Sequence, residues 1–438
     1  MNARQDCPVP DHVVRSRESS TFLLLLFLAC SRVVANNFMI YIACLIARMN
    51  GASDGDIGVI SGFFVLAYAF AAVFFGARSD KWGRKRVILL SYLTAAATSV
   101  AYLVLLLFAN ALPSITILCW VFILRILDGW FLGAFWPPLQ GRLCESPEWN
   151  DRRLRFYNLA WSVGIIVSNV ILSAATVVDP VPAILYPVLG ILIVICEGIL
   201  SVNVIIILVK LQDVPKQCPP EAIDVGTPEN HLTGMKKHQH SKQLSPRVKI
   251  AMLAMLGYGL FMATLFTNIF NQFSQISIAT AGTTNLIPWV TVLDNVRFST
   301  QLVIFGIAKT PARPKQRFLT LCGTTILLLM GLAFASEFLL QTGILNFVPL
   351  IGFAGIVLGL FYANGFGVIM GEARPDNRGY YQGLLEMISN LGYFAGVILS
   401  ASISGILGYF ASYAIVAVCV LGLLGFIVMI PVTKTSEI

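Results

Sequence analysis

The sequence predicts an all-α membrane protein of twelve transmembrane helices in two pseudo-symmetric six-helix bundles. Composition, run length and the placement of basic residues predict it. Hydrophobic residues make up 57% of the 438 and charged ones 12%, against roughly 45–50% and 25% in soluble domains. Apolar runs of about 20 residues, enough for a helix to cross a hydrocarbon core of roughly 30 Å, lie near 21-47, 55-77, 87-109, 114-138, 155-178, 183-209, 248-272, 285-308, 317-336, 344-371, 380-404 and 406-430. An even number of spans returns both termini to one side. That side carries 26 of the 30 Lys and Arg; the opposite loops hold only Arg48, and Arg32, Arg125 and Arg297 stand inside spans. The bias marks the terminal side as cytoplasmic. The net charge of +8 therefore reads as an orientation signal rather than a nucleic-acid surface, since the bases are spread over loops without clustered aromatics.

The first span opens at Thr21-Phe-Leu-Leu-Leu-Leu-Phe-Leu-Ala-Cys30 after Arg15 and Arg17. A cleaved signal would look similar, but apolar character continues through Ile46, and its removal would leave an odd span count. Residues 1-20 are expected as a cytoplasmic tail, 21-209 as the first bundle, 210-247 as a polar cytoplasmic linker, 248-430 as the second bundle and 431-438 as a cytoplasmic tail. A shift of 230 residues lays Phe75-Gly76 on Phe305-Gly306, Lys85 on Lys315, Phe131 on Phe361 and Gly141 on Gly371; Tyr157 then meets Tyr381 at a shift of 224. Such parallel repeats imply a twofold axis along the membrane normal, with a substrate site at their interface. The nine cysteines show no paired CxxC spacing and read as small core hydrophobes.

Between the second and third spans, Gly76-Ala-Arg-Ser-Asp80-Lys-Trp-Gly83-Arg84-Lys-Arg86 packs five cations into a tight turn. The order Gly, three residues, Asp, Lys, one residue, Gly, Arg, two bases resembles the signature loop of the major facilitator superfamily of secondary transporters. The resemblance extends to the fourth span, where Arg125-Ile-Leu-Asp128-Gly129 is similar to the family's pattern of Arg, two residues, a polar residue and Gly. It implies the superfamily fold, with Gly76, Asp80, Gly83, Arg84 and Arg86 as a gating loop. Asp80 is within reach of Arg84 and, by the resemblance, faces the start of the eleventh helix near Arg378-Gly379-Tyr380. The second copy keeps the bases Lys309, Arg313, Lys315 and Arg317 but has Thr310 where the first has Asp80. The plainer alternative is that the loop's cations only fix orientation.

A charge at mid-membrane costs roughly 2.5–3.5 kcal/mol on insertion scales, so each should face a bundle interior or a wet cavity. Arg125 with Asp128, and Asp294 with Arg297, share helical faces at a spacing of three. Each pair can neutralise itself, or its carboxylate can carry a proton. His12, His231, His238 and His240 all lie in the tail or linker, so a transported proton would ride on a buried carboxylate: Glu386, Asp128, Asp294 or Glu197. Glu386 leads because no cation lies within four residues of it; a structural role, hydrogen-bonded to another helix, stays open beside that. Related carriers line their cavities with spans 1, 4, 7 and 10 and parts of 2, 5, 8 and 11. This implies Arg32, Asn36, Arg125, Trp161, Asn268, Arg297 and Tyr393 as cavity candidates, with the arginines available to an anionic group.

Phosphate-loop, zinc-protease, triad and dinucleotide fingerprints are absent from the sequence, which argues against an enzyme or an ATP-driven motor and calls for no cofactor or metal. No acidic or thiol ligand pattern accompanies His231, His238 and His240, so no metal site is expected there. The expected function is secondary active transport of a small polar or anionic metabolite by alternating access, with proton coupling left open. One alternative is a drug/proton antiporter, against which Ser162-Val-Gly164-Ile-Ile-Val-Ser168-Asn169 lacks the Gly-Pro pair of such relatives. The other is a non-transporting receptor or scaffold on the carrier fold. The expected partners are the solute, a proton and lipid, with no nucleic acid, for a monomer in a plasma or bacterial inner membrane.

Overall fold

The computed structural model describes residues 11–109, 111–144, 151–176, 182–211, 244–281, 286–309, 311–342, 347–373 and 377–431. They form helices α1 (Asp11–Met49), α2 (Asp54–Trp82), α3 (Arg84–Leu107), α4 (Ser114–Leu132), α5 (Trp136–Leu143), α6 (Asp151–Thr176), α7 (Pro182–Lys210), α8 (Pro246–Ala281), α9 (Leu286–Ile307), α10 (Pro314–Thr342), α11 (Phe347–Glu372) and α12 (Arg378–Met429). Ten are long and apolar enough to cross a membrane, with α12 counted once and α4 and α5 counted together. Residues 212–243 of the linker with its three histidines, residues 1–10 and 432–438 of the tails, and Thr310 lie outside the described residues.

Two departures from the sequence expectation have local causes. The fourth span runs past 138 to Cys144, because Pro137 and Pro138 occupy the first turn of α5, where a missing N–H costs nothing. They restart the helix rather than end it. The eleventh and twelfth spans form one 52-residue element that turns at Gly408, whose φ of 83° suits a residue without a Cβ. The turn is a reversal. Ser400 bonds Thr264 on the way in, Asn268 bonds Ser412 on the way out, and Leu423 returns to Gly257. With the two arms of α12 counted apart and α9 added, the helices are consistent with the twelve crossings expected.

Helix ends are fixed by caps suited to an apolar surround. Ser53 and Asp56 form a reciprocal capping box at the start of α2. Lys85 donates to the Leu208 carbonyl at the end of α7, while Lys315 donates to the Val428 and Ile430 carbonyls at the end of α12. A cation thus meets the negative end of a helix in each half. Large apolar side chains such as Leu107, Leu327 and Ile406 face outward, 72%, 75% and 81% exposed, as a lipid-facing belt requires.

Two antiparallel seams join the first six spans to the last six. Along α2 and α12, Gly62 faces Phe394, Ala72 faces Gly383 and Gly76 faces Gly379. Along α6 and α9, Arg155 donates to the Gly306 carbonyl, Trp161 packs on Phe298 and Phe305, and Asn169 bonds Asp294.

Candidate transport site

The gating loop closes one end of the α2–α12 seam. Gly83, with φ 93°, ends α2 and lets α3 start on the next residue. Arg84, carried back by that turn, pairs with Asp80 at 3.0 Å, both side chains nearly buried. The other Asp80 oxygen accepts the Tyr380 backbone N–H at 3.2 Å, on the first turn of α12, where the helix end favours negative charge. One carboxylate therefore ties together α2, α3 and α12. The Arg84 guanidinium fills the space where a Cβ on Gly141 would stand, and Arg378 donates to the Cys144 carbonyl, which adds the end of α5 to the same closure. Arg86 is exposed, and among the described residues nothing ties it into this closure.

Two turns further in along α12 is Glu386, 7% exposed. Its Oε2 accepts the Tyr68 hydroxyl of α2 at 2.9 Å. Its Oε1 accepts Gln140 of α5 and Tyr362 of α11, each at 3.2 Å, and Gln382 at 3.5 Å. Gln140 also donates to the Tyr157 hydroxyl of α6 at 2.7 Å. Four neutral donors from four helices surround this carboxylate, and among the described residues no Lys or Arg pairs with it. Around them stand aromatic rings from both halves: Trp161 packs on Tyr362 and Phe305, and Tyr157 on Trp136 and Phe366.

Among the described residues the other intramembrane charges sort into two pairs and two single groups, Arg32 and Glu197. Arg125 and Asp128 meet at 2.6 Å, 3% and 2% exposed, and the guanidinium also lies 3.9 Å from the Phe64 ring centre. Arg297 and Asp294 meet at 2.5 Å; Asn169 reaches the same carboxylate across the α6–α9 seam at 3.0 Å, and Tyr41 and Tyr393 are within electrostatic range. Both i,i+3 pairs neutralise themselves, so neither arginine offers an unpaired charge. Arg32 is the exception: it is 1% exposed, its Nε and Nη2 have no hydrogen-bond partner, and its guanidinium lies 5.9 Å from the Tyr92 ring centre.

The remaining candidates scatter. Trp161 and Tyr393 stand among side chains of both halves, Tyr393 against the cluster of Phe64, Tyr68 and Leu132. Asn268 is bound to Ser412 within the second half. Glu197, on α7 away from both seams, accepts from Ser201 at 3.2 Å. Asn36 keeps a buried, unpartnered Oδ1. Sequence reasoning missed Tyr68, Gln140, Tyr157 and Tyr362. Gln140, with Pro137-Pro138 before it and Gly141-Arg142 after it, carries no sequence signal that sets it inside a span.

Two bundles joined by antiparallel seams, a charged latch at one end and a buried carboxylate between the halves define a helical carrier built to move small solutes across a membrane. The family description Major Facilitator Superfamily matches residues 24–354, and the chain belongs to that superfamily. It is a transporter by family rather than an enzyme. The crystal structure of the human organic anion transporter MFSD10 (TETRAN) is similar in fold, with a TM-score of 0.58 and 16% identity over 96% of this chain and 100% of that one. No curated protein matches the sequence.

Proposed function

We propose that this chain carries a small polar or anionic solute by alternating access, and that Glu386 takes up and releases the coupling proton. The observation that carries the proposal is the set of four neutral donors on one buried carboxylate, drawn from both halves. Ionised, Glu386 accepts from all four and holds the halves together. Protonated, it gives up one accepting position and must itself donate. Gln140 and Gln382 each keep a buried Oε1 without a partner, so an amide turned over can receive that proton. Charge state and inter-half bonding are thereby linked, as a coupled carrier requires. The anionic class agrees with that of MFSD10, an organic anion transporter of similar fold. In this reading the gating-loop face is cytoplasmic, in a plasma or bacterial inner membrane, and the working unit is a monomer surrounded by lipid.

The test is Glu386→Gln in proteoliposomes. The amide keeps the shape and cannot titrate, so uphill uptake driven by a pH gradient is expected to vanish while solute counterflow continues. Uphill transport at the wild-type rate would remove Glu386 from the coupling role.

A further inference from the structure

We propose that Arg32 is the recognition residue for a carboxylate group, held within the first bundle between α1, α3 and α7. The inference deepens the carrier reading above and rests on it for the word substrate, but not for the site itself. Three arginines stand inside spans, and the structure separates them by what already holds them. Arg125 and Arg297 each have an aspartate three residues away at ion-pair distance. Arg32 is as buried as either, yet among the described residues no carboxylate lies within ion-pair distance of it. Asp128 and Glu197 act on Cys196 together with Arg32; Asp128 is bound by Arg125, while Glu197 accepts from Ser201 with one oxygen and keeps a buried Oε2 without a partner.

The open atoms carry the chemistry. Nε and Nη2 form one side of the guanidinium, two parallel N–H donors spaced to meet two oxygens of a single carboxylate. Both are buried and unbonded. A buried guanidinium left in that state is expensive, and an anion taking both donors repays the cost. Ser99 of α3 holds another buried hydroxyl, whose contact is the weakly bonding Cys196 thiol, available as a third donor. The Tyr92 ring supports the guanidinium from α3, while its hydroxyl is engaged by the Leu28 carbonyl and so does not compete for the ligand. A neutral amide of the same shape would offer one oxygen and a clashing N–H.

Benzoate, with benzamide as its neutral isostere, is titrated onto the purified full chain in lipid nanodiscs with heat stability as the readout. Counterflow of labelled benzoate in proteoliposomes is measured alongside. Benzoate is expected to raise the unfolding midpoint of the wild type and benzamide to leave it unchanged. Arg32→Gln should weaken the benzoate effect by about tenfold or more, the loss of a charge-assisted bidentate contact. Arg32→Lys keeps the charge and so guards against misfolding; its point charge cannot reproduce the fork, and its affinity should fall in between. Equal benzoate affinity in wild type and Arg32→Lys, an equal response to benzamide, or no wild-type response to benzoate, acetate and succinate would each overturn the proposal. Stabilisation by benzoate that depends on Arg32, without counterflow of any labelled solute, would sink the carrier reading and leave the carboxylate site standing.

Discussion

Gly76 and Gly379 meet backbone to backbone at the closed end of the α2–α12 seam. A Cβ built on Gly379 would stand 2.6 Å from the Gly76 carbonyl oxygen, 2.7 Å from the Asp80 Oδ1 and 2.9 Å from the Ser79 Oγ. The latch therefore needs hydrogen at that position, because only a helix without a side chain can come close enough for Tyr380 to bond Asp80. Gly379→Ala is expected to push the two helices apart at this end at a cost of about 1–3 kcal/mol, typical of overpacking. Cys144, buried at the end of α5 in the same closure, would report it in a chain cleared of its other cysteines: its alkylation by a water-soluble maleimide should speed up when Ala replaces Gly379. An unchanged labelling rate would show that the close approach does not hold the face shut.

Asp80→Asn tests the charge in the same latch. The amide can still accept the Tyr380 N–H, but it takes away the carboxylate charge that meets Arg84 at 3.0 Å. Hydrogen bonds to charged groups are worth roughly 1.5–3 kcal/mol, so the state closed on this face loses population by about tenfold or more. Exchange needs both states in turn. The expected outcome is a protein that inserts normally and exchanges solute about an order of magnitude more slowly. Wild-type counterflow in vesicles would reduce the loop to an orientation signal.

How much of this was legible in the sequence follows from which forces act along one helix. The spans, the i,i+3 ion pairs and the solitude of Glu386 depend on spacing within a single segment, and spacing is what a sequence displays. The latch was legible because Asp80 and Arg84 are four residues apart; the glycine on its far side, 300 residues on, came through the family resemblance. The cage around Glu386 was not legible. Tyr68, Gln140 and Tyr362 reach it from three other helices, and a lone Tyr or Gln in an apolar span looks the same whether it faces lipid or a carboxylate. Gln140 was further hidden by the Pro137-Pro138 restart of α5. Arg32 looked equivalent to Arg125 and Arg297 as an anion contact; what distinguishes it, two donors without a partner, is a property of the packed interior.

The Arg125–Asp128 pair decides whether a second carboxylate shares the proton. Asp128 was a sequence candidate for coupling, yet its Oδ2 lies 2.6 Å from Arg125 Nη1, with both side chains almost fully buried. Protonating Asp128 would strand a buried guanidinium, and breaking such a pair by removing one partner costs about 3–5 kcal/mol. Asp128→Asn should therefore lower the unfolding midpoint sharply, and adding Arg125→Gln should recover most of the loss, since two neutral amides can bond each other. The informative measurement is pH-driven uptake by that double variant. If Asp128 serves only to neutralise Arg125, uphill transport persists in the recovered protein at a rate set by Glu386. A double variant as stable as the wild type but unable to accumulate solute would place the proton on Asp128 instead.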